Sequence, residues 1–199
     1  MAKVTSRKMT GVSIDGMGKE SPMEIVQASG DKYLSKTTMR EGQTRAVALN
    51  GNAGWMSSPR GVRDLPADAV ENLKAEAAFF PVAKLRAQAS RLHTIGKDSV
   101  NGVMAYRVAG PSDDGSVSYY FDAATGLLVR EATTINTPIG KIPEQTDYMD
   151  YRDVAGVQVP YMVRTAAVDP RDGATHKFTT IEQNVKIDES LFAKPEAKK

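Results

Sequence analysis

The stretch Ser118-Tyr119-Tyr120-Phe121-Asp122-Ala123-Ala124-Thr125-Gly126-Leu127-Leu128-Val129-Arg130 decides the fold class. Two strand-prone runs, Tyr119 to Phe121 and Leu127 to Val129, flank a tight turn. Asp122 can accept hydrogen bonds from the backbone ahead of it, and Gly126 can take the positive φ that closes the turn. The spacing therefore predicts a hairpin rather than a catalytic loop.

Working outward, the same grammar repeats. Val4 to Ile14, Met23 to Ala28, Lys32 to Met39, Thr44 to Leu49 and Ala53 to Met56 alternate apolar and polar residues, as half-buried strands do. Turn chemistry separates them: Gly16 and Gly18, Ser29-Gly30-Asp31, Glu41-Gly42 and Asn50-Gly51-Asn52. Beyond the opening hairpin, strands are expected at Arg130 to Thr137, Gln145 to Tyr151, Val157 to Val168 and Lys177 to Ile187. His93 to Val100 and Met104 to Ala109 complete this half, with turns at Asp153 to Gly156 and Pro170 to Gly173. One segment breaks the pattern. Asp64-Leu65-Pro66 opens a run in which Ala69, Val70, Leu73 and Ala77 share one helical face, and Pro81 should end that helix near Phe80 before Val82 to Ser90 resumes a second. The expected fold is mainly β: an incomplete antiparallel barrel of about 11–12 strands, closed on one side by two short helices over about residues 65–90. It reads as one domain over 1–199, with a disordered tail from about Pro195.

Composition narrows the function classes. The net charge of +2 implies no basic face for nucleic acid, and with no cysteine there is no disulfide framework, thiolate nucleophile or covalent haem attachment. No apolar run approaches the roughly 20 residues of a membrane span, and no signal-peptide core precedes Val4. His93 and His176 are the two imidazoles, and each sits in strand-like sequence without a catalytic partner at motif spacing. Ser29-Gly30-Asp31-Lys32 matches a bare Ser-x-x-Lys pattern but precedes a strand rather than opening a helix. Asp147, Asp150 and Asp153, three apart, alternate faces of a strand and cannot converge on a metal, which points to a solvated strand end. Gly16-Met17-Gly18 lacks the rest of a dinucleotide fingerprint. Neither an enzymatic constellation nor a cofactor is expected.

The apolar pattern offers a binding surface. If helices lie against a curved sheet, the enclosed side carries Met23, Ile25, Val47, Leu49, Tyr119, Phe121, Val159, Tyr161 and Val163, with Trp55, Leu73, Phe79 and Phe80 from rim and lid. Such a surface is also how an ordinary core is built, and a single bulge would invert the phase beyond it. Nine methionines suit a cavity that adapts to its ligand. An acyl chain gains roughly 0.8 kcal/mol per buried methylene, so about fifteen would supply on the order of 12 kcal/mol before ordering costs. Apolar lining alone would suffice.

Three phrases carry a family likeness: Tyr120 to Arg130, then Asp150-Tyr151-Arg152-Asp153-Val154-Ala155-Gly156-Val157 leading to Val159-Pro160-Tyr161, and Ile187-Asp188-Glu189-Ser190-Leu191-Phe192-Ala193-Lys194-Pro195. Together, with Gly54-Trp55 ahead of the helices, they resemble the LolA/LolB-like outer-membrane lipoprotein-sorting superfamily, in a poorly characterised bacterial branch. The resemblance implies a half-barrel that binds a lipid, an acyl chain or an acylated lipoprotein without catalysis. It implies a periplasmic location, with the leader removed or the domain excised from a longer exported protein. A protein-docking or envelope-sensing module with no bound lipid is the alternative on the same fold, with an envelope protein as partner.

Overall fold

The computed structural model describes residues 4–80, 82–112, 115–137, 140–166, 168–169, 171 and 173–196. In chain order the elements are β1 (Ser6–Asp15), β2 (Glu20–Ala28), β3 (Lys32–Thr38), β4 (Thr44–Asn50), β5 (Ala53–Ser58), β6 (Gly61–Asp64), α1 (Ala67–Ala77), α2 (Ala83–Ala87), β7 (His93–Val100), β8 (Val103–Ser112), β9 (Gly115–Asp122), β10 (Leu128–Thr137), β11 (Gly140–Val154), β12 (Val157–Ala166) and β13 (Ala174–Gln183). All thirteen strands join one antiparallel sheet in the order 6-5-4-3-2-1-13-12-11-10-9-8-7. The sheet is two meanders joined where the first strand pairs with the last, and it stays open, with β6 and β7 as its edges. The additional strand is β6. Its Gly-Val-Arg-Asp has no alternation to announce it, and it forms by pairing with β5.

The deciding hairpin forms as its sequence dictates. Asp122 accepts from the Ala124 N–H and the Thr125 hydroxyl, both at 2.8 Å, and Gly126 has φ 71°. Strand β13 ends at Gln183, short of the expected Ile187, because Asn184 turns left-handed at φ 57° and its side chain accepts from the Thr5 N–H at 2.9 Å. Pro81, Pro170 and residue 172 of the second turn lie outside the described residues, as does the tail beyond Glu196.

Because β6 and β7 are opposite edges, residues 65–92 must carry the chain across the width of the sheet. Helix α1 turns Val70, Leu73 and Ala77 onto the sheet at 3–4 spacing, where β3, β4 and β5 receive them. This face holds one core cluster, with Met9, Met23, Ile25, Tyr33, Leu49 and Val159 among its buried members. The opposite face holds a second around Val26, Leu34, Ala48, Trp55 and Phe192, the last delivered by a 3-10 turn at Glu189–Phe192.

A bulge sets the phase of β13. Thr10 opposes Thr180 but Gly11 opposes Phe178, so Ile181 and Phe178, three residues apart, both reach the helix-bearing core. The β13 backbone comes so close at Gly11 that a Cβ would lie 2.0 Å from the Lys177 carbonyl oxygen. Gly11→Ala should therefore destabilise the fold by about 1–3 kcal/mol, roughly the cost of overpacking. Thermal melts should show the midpoint falling by about 2–4 °C per kcal/mol.

On the other face a polar row crosses five strands: Arg107, Tyr120, Arg130, Asp147 and Arg164 oppose one another in register. Asp147 is not at a solvated strand end, as its spacing suggested, but wholly buried. Arg130 bonds it through Nε and Nη2 at 2.6 and 3.1 Å, Arg164 through Nη2 at 2.6 Å, and Asn101 from the β7–β8 turn at 3.2 Å. Burial pushes its carboxyl pKa up, but the hydrogen bonds from Arg130, Arg164 and Asn101 overcome this and hold it below the ordinary value. Asp147→Ala should cost about 3 kcal/mol at pH 7, chiefly by leaving the mostly buried Arg130 guanidinium without its carboxylate. The native pKa is depressed, so this stabilisation is present above the unfolded carboxylate pKa and is lost as pH falls through the native one. Urea unfolding at pH 7 and at pH 3 should show the gap between variant and parent narrowing in acid.

Candidate functional site

Beneath the lid segment the helix-bearing face carries one largely polar row of side chains. Leu49, Tyr33, Gln27, Arg7 and Gln183 stand directly opposite one another across β4, β3, β2, β1 and β13. Cross-strand partners share a face, so all five lie under or beside the lid segment. Two of them hold the lid, Gln27 at the last turn of α1 and Arg7 just beyond it. Gln27 Nε2 donates to the Glu76 carbonyl at 2.8 Å, and Arg7 Nη1 donates to the Phe79 carbonyl at 2.9 Å. Terminal carbonyls of a helix lack partners within it, and a cation there also complements the helix dipole. The Arg7 guanidinium carbon lies 5.7 Å from the ring centre of Phe79 and 5.3 Å from that of Phe80. The two aromatic residues after the helix thus fold back over the charge they help to bury.

Beyond α1 the same face continues to β11 and β12. Val163 packs against the first core cluster and opposes Tyr148, placing Tyr148, Thr146 and Glu144 on this side. Tyr119 opposes Glu131 on the neighbouring strands. Burial, with the Glu131 charge adding to it, pushes the Tyr119 phenol up to about 12, and Tyr148 rises for the same two reasons in the same order. Both stay neutral at physiological pH. His176, edge-on to Phe178 at 6.4 Å, is pushed down by burial and is likewise neutral. Among the described residues, no group of His, Cys, Asp or Glu could hold a metal ion.

Glu76 stands where α1 meets this wall. The residue is exposed, with neighbouring protein crowding its carboxyl. That crowding pushes its carboxyl pKa up, the Tyr33 hydroxyl opposes the shift, and the Glu144 charge adds to it. A raised native pKa favours the protonated carboxyl in the fold, so stability should decline as pH rises from the unfolded carboxylate value through the native one. Glu76→Gln should flatten that decline and raise the melting temperature above pH 7, with little effect near pH 4.

The anticipated lining residues fall into four groups. Met23, Ile25, Leu49, Leu73 and Val159 are buried in the helix-bearing cluster, and Val47, Tyr161 and Val163 pack against it half-buried. Phe79 and Phe80 cover Arg7. Tyr119 and Phe121 lie on β9, toward the β7 edge, with Phe121 opposing Tyr106 and Leu128. Trp55 differs. Expected on the rim or lid, it points through the opposite face, where its indole N–H donates to the Phe192 carbonyl at 2.9 Å. Gly54 holds the helix-facing position on β5, so strand alternation sends Trp55 the other way. Arg7, Gln27 and Gln183 were not anticipated. Their one signal is a polar residue in the inward phase of a strand, and that phase is set by pairing partners.

Comparison with solved structures returns matches along nearly the whole chain. It is similar to an outer-membrane lipoprotein-sorting protein domain from Vibrio parahaemolyticus, with a TM-score of 0.65 and 10% identity over 96% of this chain and 90% of that one. A LolA superfamily protein from Nitrosomonas europaea gives 0.57 at 9% identity, covering 96% and 90%. A DUF1329 family protein from Desulfovibrio piger gives 0.64 at 12%, covering 96% and 91%. The fold is a LolA-type open half-barrel. No protein-family model and no curated protein matches the chain. At these identities the LolA-type likeness speaks for backbone architecture, and the ligand has to be argued from this chain's own side chains.

Proposed function

We propose that this chain is a non-enzymatic binder of an acyl chain, free or attached to a lipoprotein, and that it works in the bacterial cell envelope. One observation carries the reading. The helix-bearing face extends past the part that α1 packs down, and there Tyr161, Val163, Tyr148 and Tyr119 are only half-buried, with Glu131 and Thr146 the polar residues among them. Such a surface is apolar enough to take a hydrocarbon chain and is lined by adaptable or planar side chains. The LolA-type fold, found in a protein described as a lipoprotein-sorting domain, supports an envelope role.

A docking module is the second reading, and it too has a specific observation behind it. Strand β7 is a free sheet edge, and Ile95, Met104 and Tyr106 on the β7–β8 hairpin are exposed. An open edge with apolar side chains is a ready place for another chain to pair.

Native mass spectrometry of gently purified protein, followed by organic extraction, separates the two. Discrete adducts of lipid mass are the expected result. A clean apo mass, unchanged after incubation with fatty acids, phospholipids and a lipopeptide, would overturn the acyl-binding reading in favour of docking at the β7 edge.

A further inference from the structure

Arg7 is 5% exposed, and only one edge of its guanidinium is used. Nη1 holds the Phe79 carbonyl, while Nε and Nη2 are buried and have no hydrogen-bond partner among the described residues. Beside them, Gln183 Nε2 on the adjoining strand is also buried and unpaired. On the other side, Gln27 Oε1 is an unpaired acceptor. A guanidinium cannot shed its proton to escape such a site, and burying its charge and its donors without partners is costly. Among the described residues no carboxylate answers it, and only the Phe79 and Phe80 rings lie over the charge. Burial alone draws the Arg7 pKa down to about 10, with no carboxylate holding it up, and the Glu76 carboxyl is engaged by Tyr33.

The unused edge has a specific shape. Nε and Nη2 form the side-on fork that matches the two oxygens of a carboxylate. This chain uses the same fork on its own carboxylates: Arg130 grips Asp147 through Nε and Nη2, and Arg152 grips Asp150 in the same way. At Arg7 the same fork meets no carboxylate among the described residues. The unpaired donors outnumber the single acceptor, so the site calls for a ligand rich in lone pairs. An ester carbonyl offers one oxygen to the fork and no charge, whereas an ionised carboxylate takes both hydrogens and cancels the buried cation.

We infer that the Arg7 fork, assisted by Gln183 Nε2, receives the carboxylate of a long-chain free fatty acid whose hydrocarbon chain lies along the helix-bearing face. This rests on the acyl-binding reading and deepens it by naming the head group. It also assigns Phe79 and Phe80 a role, since they cover the ion pair and exclude water from it.

The test is displacement of a neutral fluorescent probe, N-phenyl-1-naphthylamine, from the full chain at pH 8 by lauric acid and by methyl laurate. The parent should bind the acid at least about tenfold more tightly than the ester, the scale of a bidentate charge-assisted pair. Arg7→Met should lose that preference by weakening the acid at least about fivefold more than the ester, and Arg7→Lys should recover it only partly because an ammonium lacks the fork. Gln183→Leu, which leaves the helix contacts in place, should weaken the acid more than the ester and serves if the Arg7 variants melt early. Equal binding of acid and ester by the parent overturns the head-group assignment and leaves acyl binding standing. So does acid binding that Arg7→Met does not change. If neither ligand displaces the probe, the acyl-binding reading itself falls, and this inference with it.

Discussion

Everything in this molecule hangs on the pairing of its first strand with its last. The sheet is two meanders, β1–β6 and β7–β13, each held by local hairpins, and β1 against β13 is their one junction. Hairpins close small loops, but this junction joins residues about 170 positions apart, as the Met9–Ile181 pair does, and needs a larger ordering of the chain. The chain reinforces it at one end and in the middle. Asn184 bonds Thr5, the Ser6 hydroxyl donates to the Val185 carbonyl at 2.6 Å, and the bulge at Gly11 keeps Ile181 and Phe178 on one face. The polar row Gln27–Arg7–Gln183 straddles the same junction, so the candidate binding group stands on the seam between the halves.

That seam also fixes the lid. Residues 65–92 run between opposite edges of the sheet, so topology obliges them to cross one face, and the grip of Gln27 and Arg7 on the Glu76 and Phe79 carbonyls sets where the crossing is tied down. A helix of eleven residues is marginal alone. Here its apolar stripe and its capped end do the stabilising together. The second face is organised differently, by the Trp55–Phe192 core and by Asp147 clamped between two arginines. The contrast is chemical: Asp147 is a buried charge with its counter-ions in place, while Arg7 is a buried charge with no counter-ion among the described residues.

Local signals define most of the elements and their sequential neighbours. Asp122 and Gly126 define a turn whatever lies around them, and the alternation in β2, β3 and β4 marks half-buried strands, because these signals act over a few residues. The helix over 67–77 was legible from Val70, Leu73 and Ala77 for the same reason. Which strands met at long range, and therefore which side chains shared a site, only the tertiary structure decided. Short β6 exists because β5 offers it an edge. Trp55 turned to the far face because Gly54 took the place under α1, and Asp147 was drawn from a presumed solvated end into a buried clamp by arginines on neighbouring strands. Arg7 reads as one more charge in an alternating strand until β13 lies beside it, α1 lands above it and two phenylalanines cover it. Burial and unmet hydrogen bonds belong to what surrounds a residue, and those surroundings are assembled from segments far apart in the chain.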